Sequence, residues 1–230
     1  MRVRTNNPNF TLDPASTPVN ERKPVIHNVY ILDASGSMRG EKYLNAVKGI
    51  REEIQTLQKD QNAEFSQTLI EFSGYGNSEH FFMTPMDKIG MWHERGADGG
   101  TPLYNTVGDV LTNLQKNVKI GEKVLVKIFT DGEDTDYGRG NWNIKSVKNL
   151  IDTLESQGYT ITFVGTQKDV ADIIRQMGVK ESNTLSHDNT PTGVSKAFEK
   201  TRGATMMYSK AVAEGLDVSE NFYTKSVVSN

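Results

Sequence analysis

No cysteine occurs anywhere in the chain, and that absence excludes a disulfide scaffold, a thiolate metal site and a cysteine nucleophile. It fits a reducing compartment. Charge of one sign is lacking too: 26 Lys and Arg stand against 29 Asp and Glu, for a net charge of −3. Nucleic-acid binding draws on a basic excess, which this chain does not have. No apolar run approaches the length of a membrane span. Residues 1–24 are polar and lack the apolar core of a secretory signal. The expectation is a cytoplasmic protein, with neither nucleic acid nor membrane as a partner. The four histidines, His27, His80, His93 and His187, are scattered and lack the paired spacing of a zinc site. No Gly-x-x-x-x-Gly-Lys-[Ser/Thr] string occurs, so the chain has no ATPase phosphate loop of its own.

What is present is an alternation of strand and helix patterns across 230 residues, a length that suits one large domain with tails. Residues 1–23, with Pro8, Pro14 and Pro18, read as an extended or disordered arm. Val25 to Leu32 is a mostly apolar strand, as expected for a parallel strand covered on both faces. Leu44, Val47, Ile50, Ile54 and Leu57 recur at helical steps. Phe65–Phe72 and His80–Met83 flank a turn over Ser73–Asn77 and predict a hairpin at a sheet edge. Met86 to Trp92 reads as a helical turn, with Trp92 and Trp142 as packing residues. A further helix carries the stripe Leu103, Val107, Val110, Leu111 and Leu114, with Pro102 near its start. Strands at Val124–Phe129 and Tyr159–Val164 and helices at Trp142–Ser156 and Val170–Met177 follow. A short strand at Asn183–Ser186 and a last helix from Pro191 to about Val212 complete the pattern. The domain assignment is therefore an arm over 1–23, one domain over 24–212 and a polar tail over 213–230, with Phe222 and Tyr223 as anchors. Such alternation predicts an α/β fold: a three-layer, doubly wound, Rossmann-like sheet, mainly parallel with one antiparallel edge strand, helices on both faces.

In such sheets ligands bind beyond the carboxyl ends of the strands. Directly behind the first strand stands Asp33-Ala34-Ser35-Gly36-Ser37, a carboxylate and two hydroxyls within five residues. A hard cation such as Mg²⁺ takes oxygen ligands of this kind in an octahedral shell. Two other loops carry related chemistry: Gly99-Gly100-Thr101-Pro102 enters a helix, and Thr130-Asp131-Gly132 ends a strand. The topology allows all three to converge on one sheet edge. The neighbouring acids Glu133, Asp134 and Asp136 read as a solvated loop, and Asp98 as a turn residue.

An Asp-x-Ser-x-Ser string, a Thr in a second loop and an Asp after a core strand make the chain resemble the von Willebrand factor A family with its metal-ion-dependent adhesion site. The resemblance runs from about Val25 to Val212. It implies that Ser35 and Ser37 bind the metal directly, that Asp33 and Asp131 act largely through water, and that Thr101 contacts the metal directly or through water. Mg²⁺ is the implied ion, with Mn²⁺ or Ca²⁺ as alternatives, and an open coordination position would accept an Asp or Glu from a partner protein. It further implies coupling between metal engagement and movement of the last helix. Gly36-Ser37-Met38 and Gly99–Tyr104 lie nearer to bacterial and phage intracellular members. Some of those act beside AAA+ ATPases as adaptors, and others accompany stress-resistance operons.

The expected function is thus a metal-dependent protein-interaction module and not an enzyme. A metal-dependent hydrolase is the first alternative, since Mg²⁺ between two acids also describes haloacid-dehalogenase-type phosphatases. Those require a second Asp two residues after the first, and here Ser35 stands there. A structural part of a larger assembly, such as a phage particle, is the second.

Overall fold

The computed structural model describes residues 22–135 and 140–223. The arm expected over 1–23 lies almost wholly outside them, as do Asp136 and the end of the tail. Six strands, β1 (Val25–Asp33), β2 (Glu64–Ser73), β3 (Gly76–Pro85), β4 (Lys123–Phe129), β5 (Thr160–Thr166) and β6 (Thr184–His187), form one sheet in the order β3-β2-β1-β4-β5-β6. All neighbours are parallel except β2 and β3, the antiparallel hairpin at one edge. The helices are α1 (Glu41–Leu57), α2 (Leu103–Asn117), α3 (Ile144–Ser156), α4 (Gln167–Met177) and α5 (Pro191–Ala213).

Side chains alternate across each strand, so a strand apolar at every position feeds two cores. Ile26, Tyr30, Leu32, Leu125 and Phe129 face α1 and α5, whereas Val29, Ile31, Val124, Val126 and Ile128 face α2, α3 and α4. The three-layer α/β architecture expected from the alternation is the one observed. On the first face α1 and α5 run close together: a Cβ at Gly49 would lie 2.4 Å from the Phe198 ring. Phe198 itself stacks on Phe129, with ring centroids 4.6 Å apart.

Local signals account for most element ends. Asn143 caps α3 reciprocally with Ser146, which starts the helix at Ile144 and leaves Trp142 outside it. There Trp142 packs against Gly108 of α2 and donates from Nε1 to Asp109. Thr190 caps α5 through the Gly193 N–H, with Pro191 in the first turn. The α1 stripe differs from expectation at one position. Leu44 is 53% exposed, and Tyr43 and Ala46 join Val47, Ile50, Ile54 and Leu57 inside. The segment Met86–Trp92 is helical only over Met86–Lys88. Trp92 packs in the core with Phe81, and the Arg51 guanidinium lies over its ring.

The expected tail is packed as far as it is described. Val218, Phe222 and Tyr223 are buried; the Phe222 N–H donates to Asn183 and the Tyr223 N–H to the Ser182 carbonyl. Phe222 and Tyr223 thus hold this segment against the body. No described helix is long and apolar enough to cross a membrane.

Candidate functional site

The carboxyl ends of β1 and β4 lie side by side, with Leu32 in register with Phe129. Each strand runs directly into its acidic loop, so the pairing itself brings Asp33 and Asp131 to one edge. Asp33 is fully buried. One carboxylate oxygen accepts the Ser35 N–H at 2.7 Å, and the other accepts the Thr130 hydroxyl. The Ser35 and Ser37 hydroxyls are 3.0 Å apart, and Ser37 donates to Asp131 at 2.6 Å. Asp33, Ser35, Ser37 and Asp131 therefore form one connected set of oxygens. Ser37 is exposed and the other three are buried, which leaves the set open to solvent on one side.

Thr101 reaches the set through backbone contacts. The Gly36 N–H donates to the Gly99 carbonyl, the Asp98 N–H to Ala34, and the Gly74 N–H to Gly100. Gly74 is needed for that approach, since a Cβ there would lie 2.6 Å from the Gly100 nitrogen. From the other side Thr135 clamps Thr101. The Thr101 N–H donates to the Thr135 hydroxyl, and the Thr135 N–H donates to the Thr101 carbonyl. A Cβ built on Gly132 would stand 3.5 Å from both the Ser37 and Thr101 hydroxyls. All five residues expected from the motif thus lie around one point at the sheet edge.

This donor set suits a hard divalent ion. Its side chains offer carboxylate and hydroxyl oxygens without nitrogen or sulfur, the preference of Mg²⁺, Mn²⁺ and Ca²⁺. The set holds two acids and no histidine, and no group of three or more His, Asp or Glu able to hold a metal occurs among the described residues. Burial lifts Asp33 to about 6, against the Thr130 and Ser35 hydrogen bonds that lower it, and the nearby Asp131 charge adds to the rise. A cation is the ligand that would relieve that cost.

One cation is already in contact. The Lys42 ammonium pairs with Asp131 and donates to Asn189 at 2.8 Å, just before Thr190 caps α5. Asn45 donates to the Pro191 carbonyl at 2.9 Å. Two side chains of α1 therefore reach the start of the last helix, and one of them, Lys42, ties it to the Asp131 loop. Sequence reasoning missed Lys42, Thr130 and Thr135. Thr130 stood in the quoted Thr-Asp-Gly triplet, but Lys42 is an ordinary first-turn helix residue, and only the fold places it at Asp131. The neighbouring acids do separate jobs: Glu133 pairs at the surface with Lys168, and Asp134 accepts the Tyr104 N–H at the start of α2. Asp98 accepts its neighbour's N–H and pairs with exposed Arg39, as a turn residue does. His27 is bound to Ser66 and Glu122 and His80 to Glu71, so both have structural partners.

No protein-family model matches the chain, and no curated protein matches it in sequence. Solved structures do match. One is proximal thread matrix protein 1 from the mussel byssus, with a zinc-occupied MIDAS motif. It has a TM-score of 0.56 and 15% identity over 81% of this chain and 46% of the other. The pilus adhesin SpaC from Lactobacillus rhamnosus GG, in an open conformation, has a TM-score of 0.60 and 14% identity, over 82% of this chain and 30% of the other. The PilB minor pilin from Streptococcus sanguinis has a TM-score of 0.59 and 12% identity, over 85% and 64%. The chain thus spans less than two thirds of each of these structures. At such identities the likeness defines the fold, which is of the von Willebrand factor A type.

Proposed function

We propose that this chain is a cation-dependent protein-interaction module whose binding centre is the oxygen cluster at the carboxyl ends of β1 and β4. The observation that carries the reading is the convergence of Asp33, Ser35, Ser37 and Asp131 into one hydrogen-bonded set, with Thr101 held beside it by the Thr135 clamp. Ser35, Ser37 and Thr101 would hold the ion through their hydroxyls, and Asp33 and Asp131 would orient those hydroxyls and balance the charge. Mg²⁺ is the proposed ion, with Mn²⁺ or Ca²⁺ as alternatives, since oxygen sites select by geometry and availability. When bound, the ion supplies a positive point that attracts an acidic side chain. Two carboxylates only neutralise it, and exposed Ser37 marks the side from which an Asp or Glu of a partner protein would approach.

The module is proposed to bind and not to react, because Ser35 holds the place where a phosphatase of this sheet type needs its second Asp. Turnover of phosphate esters that disappears in Asp33→Ala would overturn that assignment. A AAA+ ATPase or a phage assembly as the source of the acidic side chain rests on the resemblance alone. A cytoplasmic location is the expectation from composition, since the chain lacks cysteine, while the matched structures come from byssus and pili.

Titration of the purified chain with Mg²⁺ and Mn²⁺ is expected to show one saturable site, lost in Asp33→Ala. Pull-down from the native host with and without EDTA should then lose the same partners that Asp33→Ala loses. Partners kept under both conditions would sink the bridging model.

A further inference from the structure

The two strands that carry the surface cluster also carry a second polar group, deep beneath α1 and α5. Asn28 of β1, Lys127 of β4 and Glu53 of α1 are all fully buried. The β1–β4 register pairs Tyr30 with Lys127 and Asn28 with Leu125, so Asn28 and Lys127 are diagonal neighbours on one face. Lys127 Nζ donates to Asn28 Oδ1 at 2.7 Å and to Glu53 Oε1. Asn28 Nδ2 donates to that same Glu53 oxygen at 3.3 Å and to Gln67 at 2.9 Å. The Tyr30 hydroxyl donates to Glu53 Oε2 at 2.7 Å, and the Tyr30 ring lies 4.8 Å from the ammonium. One carboxylate oxygen therefore touches both an amine and the nitrogen of a primary amide, in a space closed to water.

We infer that this cluster is a self-modification site, at which Lys127 and Asn28 join through a side-chain amide bond with loss of ammonia and Glu53 carries the protons. Desolvation disfavours both charges of a buried pair, and burial pushes the Lys127 ammonium below its ordinary range, against the Glu53 carboxylate that raises it. Transfer of one proton to Glu53 leaves a neutral amine and a neutral carboxylic acid. The amine is then the nucleophile. With Nζ bonded to Oδ1, it stands at most ~4 Å from the Asn28 carbonyl carbon, given a carbonyl bond of about 1.2 Å. That approaches the near-attack separation of about 3–3.5 Å.

The Nζ lone pair forms the new bond to Cγ, and the carbonyl pair moves onto Oδ1. Glu53 gives its proton to Nδ2 and takes one from Nζ, both within reach of the same oxygen. The Cγ–Nδ2 bond breaks with its electron pair, ammonia leaves, and the carbonyl reforms. An ammonium, a carboxylate and a primary amide become a secondary amide, a carboxylic acid and ammonia, so atoms and charge balance without oxidant or reductant. The product leaves no unpaired charge in the core. Gln67 is the competing amide, but Nζ touches Asn28 and not Gln67.

Intact-mass measurement of the full purified chain tests this directly. The chain is expected to be one ammonia lighter than its sequence. Trypsin should fail to cut after Lys127, and fragment ions should define a branched peptide joining the β1 and β4 segments. Glu53→Gln, shown folded by circular dichroism, should return to the sequence mass. If that variant does not fold, the wild-type digest decides alone, since a branched peptide at any fraction that grows with incubation supports the bond. A wild-type chain at sequence mass and cut after Lys127 overturns it. So does an ammonia loss that maps elsewhere or persists in Lys127→Met.

Discussion

Strands β1 and β4 each contribute to two polar clusters about five residues apart along the chain, and the clusters have opposite designs. At the carboxyl end, Asp33 and Asp131 bring two negative charges against one ammonium, Lys42, and Ser37 opens the set to solvent. In the core, Glu53 brings one carboxylate against one ammonium, Lys127, and amide, phenol and hydroxyl groups close the set. The first carries a charge deficit at an accessible place, and it is the one that suits an external cation. The second is balanced and sealed, so its chemistry is internal. Composition alone would not separate them. What separates them is the count of charges within hydrogen-bond reach and whether solvent can enter.

The largest effect is expected from unbalancing the sealed cluster. Lys127→Met leaves Glu53 without its partner and should cost about 3–5 kcal/mol in urea denaturation. Adding Glu53→Gln removes the stranded charge and should restore part of that loss. Full restoration would mean that the cluster is only an ion pair.

The open cluster should respond to pH. Asp33 sits at about 6 against an ordinary 3.8, so between those values the native chain holds a proton that the unfolded chain has released. Its contribution to stability is fully present below 3.8 and is lost as the pH rises through about 6. The loss amounts to roughly 2–3 kcal/mol. Added Mg²⁺ binds the ionised form and should restore stability at high pH but not at low pH. An unchanged pH profile in Asp33→Asn would show that another group is responsible.

A smaller effect is expected at Lys42, where the ammonium competes with any added cation for Asp131. Lys42→Met should tighten Mg²⁺ binding by roughly tenfold, equivalent to about 1.4 kcal/mol, in calorimetric titration. Weaker binding would mean that Lys42 holds Asp131 in place and does not compete with the ion. The same variant breaks the contact to Asn189, so hydrogen exchange at the start of α5 should rise if that bridge tethers the helix.

The three layers, the edge hairpin and the five α-helices of the described residues were legible in the chain, because strand and helix periods differ and each stripe buries one face. Leu44 misled because it stands next to Tyr43, which is the residue that turns inward. The five oxygen donors at the carboxyl ends of the strands were legible for a different reason. Three sit in one pentapeptide, and the others end or enter predicted elements, so the alternation allows them to meet, and the resemblance to the von Willebrand factor A motif names them as a set. Lys42 carried no such signal, since a lysine in a first helical turn is ordinary. Asn28, Gln67 and Lys127 did interrupt apolar strands, but nothing local says which polar group answers which.

The sequence by itself determined the alternating α/β pattern and placed Asp33, Ser35, Ser37, Thr101 and Asp131 at the ends of predicted elements, because local periodicity and loop position carry that information. Only the tertiary structure decided that Lys42 lies on Asp131, that Thr135 locks Thr101, and that Asn28, Glu53 and Lys127 share one dry space. Those contacts join residues 25 to 99 positions apart. Their chemistry depends on burial and distance, which exist only once the sheet and α1 are packed together.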